Sequence, residues 1–174
     1  MIPTLGQGGA EKVLINLVNN LDKTRFDVTV LTLFDTGVNK QFLHSDVHYC
    51  FCMKRSFRGN VHFLKLFSPR TLYKHFVASK GEFDVLVSYL EGPTARIVSG
   101  CNSFRSINEA SSCYRKFDNT ICVAKTVKDD FLELFPNLPS CEVLYNTVES
   151  ERIIRLSKEE ITETYHNNMF NLIA

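Results

Sequence analysis

At 174 residues the chain has room for one domain with a substantial core, or for one domain and a remnant of a second. Hydrophobic content of 44% and charged content of 22% are those of an ordinary globular protein and exclude a disordered or fibrous chain. A formal charge of +1 carries no message by itself; its distribution along the chain does. There is no signal-peptide pattern and no run of about 18 apolar residues, so no membrane-spanning helix is expected. Six cysteines at 50, 52, 101, 113, 122 and 141 include no C-x-x-C pair and no His partner at zinc-finger spacing. A reduced chain in the cytoplasm, holding no metal, is expected.

Met1-Ile2-Pro3 leads into Gly6-Gln7-Gly8-Gly9-Ala10-Glu11. Adjacent glycines allow φ values and close approaches that a side chain forbids. Directly after them Ala10, Val13, Leu14, Leu17, Val18 and Leu21 repeat at helical spacing, the apolar stripe of an amphipathic helix. A glycine turn emptying into a helix aims free N–H groups and the positive end of the dipole at one point, which suits phosphate. A tight turn with nothing bound is the plainer alternative. Such a turn normally follows a buried strand, and only two apolar residues precede it. The chain is therefore expected to lack most of its first strand.

Phe26–Phe34 is rich in β-branched residues and predicts a buried strand; Val47–Cys52 predicts a shorter one, at an edge. From Val47 to Gly81 there is no acidic residue, while Lys54, Arg55, Arg58, Lys65, Arg70, Lys74 and Lys80 alternate with seven aromatics. That mixture suits an anionic lipid surface or anionic ligand, or single-stranded nucleic acid. Alternatively, the aromatics belong to the core and the cations are merely solvated. Ser68-Pro69 marks a helix start inside the stretch, with Ser as N-cap and Pro in the first turn. Leu72, Tyr73, Phe76 and Val77 supply its apolar stripe.

Phe83–Leu90 predicts a second strong strand, followed by Glu91-Gly92-Pro93 and a short helix to Ser99. A weak helix over Phe104–Phe117, a strand over Asn119–Ala124 and a helix over Lys125–Phe135 come next, the last with Val127, Phe131, Leu134 and Phe135 inward. Cys141–Tyr145 reads as a short strand closed by Asn146. Ser157 and Glu160 can form a capping box for a further helix. The final Met169–Ala174 reads as an apolar strand. Alternating strands and helices imply an α/β fold with a mainly parallel sheet covered on both faces, and ligands at the carboxyl ends of its strands. Gly8, Gly9, Glu91 and Asn146 all fall at such ends.

The opening Pro3-Thr4-Leu5-Gly6-Gln7-Gly8-Gly9-Ala10-Glu11-Lys12 resembles the start of the retaining GT-B glycosyltransferases, whose pattern is a strand, a proline, G-G-A-E and an amphipathic helix. Phe83–Val87 is similar to that family's central "FDVV" strand. Asn119–Ala124 is similar to its next strand-and-helix unit, and Val143–Val148 to the "V-I-Y-N-P-V-D" segment leading out of the domain. The resemblance covers nearly the whole chain. It implies one half of a two-domain enzyme: residues 1–168 as the N-terminal, acceptor-side, Rossmann-like three-layer domain, and 169–174 as the start of a donor-binding domain. No Glu-x7-Glu element belonging to such a second domain can be assigned here. The family's histidine-bearing loop before Asn119 is also lacking, only Cys101, Asn102 and Ser103 occupying its place, so catalytic residues stay unknown.

The resemblance implies transfer of a sugar from a nucleotide donor, UDP- or GDP-linked and without a metal, to a glycan or lipid-linked acceptor of cell-surface polysaccharide or glycoconjugate synthesis. Gly8, Gly9, Ala10, Glu11, Glu91 and Asn146 are the expected substrate-binding residues. Lys54, Arg55, Arg58, Lys65 and Lys74 form the expected anionic-surface contact, at the inner face of the plasma membrane. A non-catalytic nucleotide- or phosphate-binding module of the same architecture is the alternative. Nucleic-acid binding through residues 53–80 ranks last, since no motif supports it.

Overall fold

The computed structural model describes residues 1–90, 92–100, 107–148 and 150–160. Helix α1 (Gly9–Asn20) is followed by strand β1 (Thr29–Phe34) and strand β2 (His48–Met53), which pair in parallel with Thr29 opposite His48 and Phe34 opposite Met53. Ile2 forms a parallel bridge to Thr32: Ile2 N donates to Leu31 O and Leu33 N donates to Ile2 O, at 3.0 and 3.1 Å. On its other side Met1 N donates to Val87 O at 2.5 Å and Tyr89 N donates to Met1 O at 2.8 Å. These bonds give the lateral order β2, β1, Met1–Pro3, Val87–Tyr89, all parallel. Three residues thus do the work of a central strand.

Two buried clusters lie on the two faces of this sheet, as β1's alternation requires. Val30 faces Leu14, Ile15 and Val18 of α1, with Ile2, Leu5 and Val47. Leu31 and Leu33 face Leu64, Leu72, Phe76, Val77 and Ile97. The latter come from α2 (Asn60–Lys65), α3 (Pro69–Phe76) with Val77 just after it, and α4 (Pro93–Ser99). Helix, sheet and helix therefore make three layers around β1, an α/β arrangement of Rossmann-like type. The expected cap of α3 is present: Thr71 N donates to Ser68 Oγ at 3.2 Å, and Pro69 is the first helical residue.

The second half holds α5 (Ile107–Tyr114), β3 (Thr120–Cys122), α6 (Lys125–Leu134), β4 (Cys141–Val143) and α7 (Ser150–Leu156). Strands β3 and β4 pair in parallel as a separate two-stranded sheet. Tyr114, Phe131 and Phe135 form a ring cluster with centroids 4.8–5.1 Å apart, Tyr114 meeting Phe131 edge to face and the other two pairs tilted.

Several elements depart from the sequence reading. Phe83–Leu90 is extended but carries no strand, and Val85 and Val87 are 78% and 56% exposed. Among the described residues it is the outer member of the sheet, its backbone bonded across to Met1 alone, so its apolar faces find little to bury against. Tyr73, Val127 and Leu134 point outward instead of inward, and the buried face of α1 takes in Ile15. The Ser157 hydroxyl donates to Ile154 O just after α7, a helix absent from the sequence reading, and the residues after Glu160, where a helix capped by Ser157 would run, lie outside the described residues. Cys113 is disulfide-bonded, against the expectation of a fully reduced chain. The expected strand at 169–174 and the stretch Cys101–Ser103, in place of the histidine-bearing loop, lie outside the described residues.

Candidate functional site

The glycine loop, Thr4–Gly9, leaves Pro3 at the carboxyl edge of the sheet and delivers the chain into α1. Its back is fixed. Leu5 is fully buried and its N–H donates to Thr36 O at 3.0 Å. Asn39, itself buried, donates from its backbone to Leu5 O at 3.1 Å and from Nδ2 to Gly6 O. Gly37 makes this contact possible. Its φ is +127°, and a Cβ there would stand 1.9 Å from Leu5 O. No side chain fits between the two backbones.

The front of the loop is open. Gln7, Gly8 and Gly9 are exposed, and among the described residues the N–H groups of Gly9, Ala10 and Glu11 meet no acceptor. Gly8 caps α1 with φ −69° and ψ 158°, ordinary extended backbone, so positive φ is not the reason for glycine here. The reason at position 8 is space. The Glu11 carboxylate turns back over the start of its own helix, and a Cβ on Gly8 would lie 2.2 Å from Glu11 Oε2. That placement sets a negative charge against the positive end of the helix dipole. At Gly9 a Cβ would meet nothing within 4 Å. At Gly9 the backbone lies open, with nothing in the way of an approach from the front.

Beside the loop, at the end of β1, Asp35 Oδ1 accepts from Lys40 Nζ at 2.8 Å and from Tyr49 Oη at 2.9 Å, and Tyr49 Oη lies 3.0 Å from Thr32 Oγ1. Lys40 also stands over the Tyr49 ring, 4.2 Å from its centroid. The Lys40 and Tyr49 hydrogen bonds hold the Asp35 carboxyl below the usual carboxylate range. Burial, with Asp35 nearby, pushes the Tyr49 phenol up to about 12. At the end of the outer segment Leu90 has φ +73° and Gly92 φ +107°. Thr94, fully buried, donates to Leu90 O at 3.4 Å. Strain of this kind gathers at functional sites. Glu91, between them, lies outside the described residues.

The structure thus brings Gly8, Gly9, Ala10 and Glu11 together at one edge. Asn146 is exposed in the coil after β4, and no hydrogen bond among the described residues joins it to the glycine loop. Gly37, Asn39 and the Asp35–Lys40–Tyr49 cluster were not foreseen. Asp35-Thr36-Gly37 gave only a turn signal, and Asn39 carried none. Lys54, Arg55, Arg58, Lys65 and Lys74 are all exposed.

Compared with known proteins, no family model matches the chain, and no solved structure does. Among curated proteins it aligns over 186 positions, at 26% identity, with the N-acetylgalactosamine-N,N'-diacetylbacillosaminyl-diphospho-undecaprenol 4-alpha-N-acetylgalactosaminyltransferase of Campylobacter jejuni. The chain is similar to a glycosyltransferase. The alignment takes in 92% of this chain and 50% of that enzyme, so the chain spans about half the length of its relative.

Proposed function

We propose that the chain is the acceptor-side domain of a glycosyltransferase that moves a sugar from a nucleotide donor to a lipid-linked glycan. The observation that carries this reading is the glycine loop: fixed from behind by Asn39 and Gly37, open in front, with unpaired N–H groups at the start of α1. Charge builds on the donor diphosphate as its bond to the sugar breaks. N–H groups held in place beforehand stabilise that charge more than they stabilise the intact donor, and so lower the barrier. Glu11, its carboxylate folded back against Gly8, would orient the loop. Glu91 and Asn146 would meet acceptor or donor hydroxyls. The relative's acceptor is named as a diphospho-undecaprenol, which supports a lipid-linked acceptor here. In the retaining course that the family resemblance implies, attack comes from the face the nucleotide leaves, and no strong protein base is needed.

The test is transfer by the full-length protein. UDP- and GDP-linked sugars are offered with a polyprenyl-diphosphate glycan, and the product is read by mass and by the anomeric proton coupling. A glycosylated lipid with the donor's anomeric configuration is expected. Tight nucleotide binding without transfer from any donor would overturn the reading in favour of a non-catalytic binding module.

A further inference from the structure

The segment between β2 and α3 is inverted relative to an ordinary surface helix. Leu64 is 2% exposed and anchors α2 to the core, whereas Leu66 is 79% exposed, and Phe57, Val61, Phe63 and Phe67 are each about two-fifths exposed. The outward side of a surface helix is normally polar. Here its rings touch one another instead: Phe57 on Phe63 at 5.6 Å and Phe63 on Phe67 at 5.2 Å, both edge to face. Exposed cations flank this row, and residues 47–81 carry a net +7 with no acid, in a chain whose total is +1. The rest of the chain therefore carries a net −6. A contiguous apolar row framed by one sign of charge marks an interaction surface.

We propose that residues 54–67 dock onto an anionic lipid bilayer, with Phe57, Phe63 and Leu66 entering the interface and Lys54, Arg55 and Lys65 meeting the headgroups. The chemistry selects this occupant. Base stacking uses open ring faces, but these rings are turned edge to face on one another, and the most exposed apolar side chain is the aliphatic Leu66. A second copy presenting the same surface would bring two clusters of cations together. Acyl chains accept Leu and Phe alike, and anionic headgroups accept the cations. The assignment does not depend on the sugar chemistry proposed above.

These 174 residues contain no tryptophan, so Phe63→Trp places an indole in the patch whose emission is read as the difference from the parent. Its emission is expected to shift to the blue with phosphatidylcholine vesicles containing phosphatidylglycerol, and not with phosphatidylcholine alone. In co-sedimentation of the full-length protein, Lys54→Glu with Arg55→Glu is expected to weaken low-salt binding by about five-fold or more per residue. Phe63→Ser with Leu66→Ser should keep low-salt binding and lose what persists in high salt, while melting like the parent. Equal binding to neutral and anionic vesicles, an unshifted reporter, or displacement by a single-stranded oligonucleotide would overturn the proposal. Vesicle binding needs neither donor nor acceptor, so its failure would leave the transferase reading standing, and the reverse also holds.

Discussion

Gly37→Ala is expected to be among the most damaging single-methyl changes in the N-terminal half. The native φ of +127° lies where an L-residue is strained, at a cost of about 1–2 kcal/mol. The added Cβ would stand 1.9 Å from Leu5 O, 2.0 Å from Leu5 C and 2.6 Å from Gly6 N, all backbone atoms that no rotamer change can move aside. Relieving the clash means opening the Thr36–Asn39 turn away from the glycine loop. That breaks the Asn39 bonds to Leu5 O and Gly6 O, each worth about 1 kcal/mol net and more where the carbonyl is left buried. Together these come to roughly 3–5 kcal/mol, a large share of the 5–15 kcal/mol typical of a domain. For a chain of this size the melting temperature should fall by roughly 10 °C. Circular dichroism melts of parent and variant make the measurement. Gly9→Ala is the control, since its Cβ meets nothing within 4 Å. If Gly37→Ala melts within a degree or two of the parent, the loop is not held as described.

Two further outcomes follow from the packing and the charges. Leu64→Ala should cost about 2–4 kcal/mol by opening a cavity under α2, whereas Leu66→Ala, two positions on, should leave the denaturant midpoint unchanged. Because the Asp35 carboxyl is held low by Lys40 and Tyr49, its contribution is present above the ordinary aspartate range and fades as pH falls through the lowered value. Asp35→Asn should therefore narrow its stability gap to the parent as the pH of the melts is lowered below about 4; a constant gap would contradict the assignment.

The sequence exposed the parts of this fold whose cause is local. The Ser68-Pro69 cap, the β-branched run of β1 and the glycine-to-helix transition at Gly8-Gly9 each depend on neighbours a few residues away, and each is present. What escaped depends on distant partners. Phe83–Leu90 has strand composition, but its burial depends on a neighbour beyond Met1 that the described residues do not supply. Tyr73 fits the apolar stripe of α3, yet Leu72 and Phe76 fill the contact with the sheet and leave it outside. Of the two reasons for glycine in this loop, φ freedom and close approach, only close approach applies at Gly8. Positive φ belongs to Gly37, in the turn behind it, while Gly8 is held small by the carboxylate of Glu11, three residues further along the chain. Asn39 shows the limit most clearly, because a buried asparagine in a short 3₁₀ segment (Val38–Phe42) has no sequence pattern of its own.

The central claim is that the open front of the glycine loop receives the donor's phosphate oxygens, and Gly9→Val in the full-length protein tests it most directly. The position has open space and ordinary φ, so the variant is expected to fold and melt like the parent. The isopropyl group would nonetheless cover the N–H groups of Gly9 and Ala10. Steady-state turnover with the nucleotide sugar should fall by about 10²-fold or more, roughly 3 kcal/mol, the scale of losing one preorganised donor to a developing charge. A variant that melts like the parent and turns over at the parent's rate would contradict the account and leave the glycines as a turn alone.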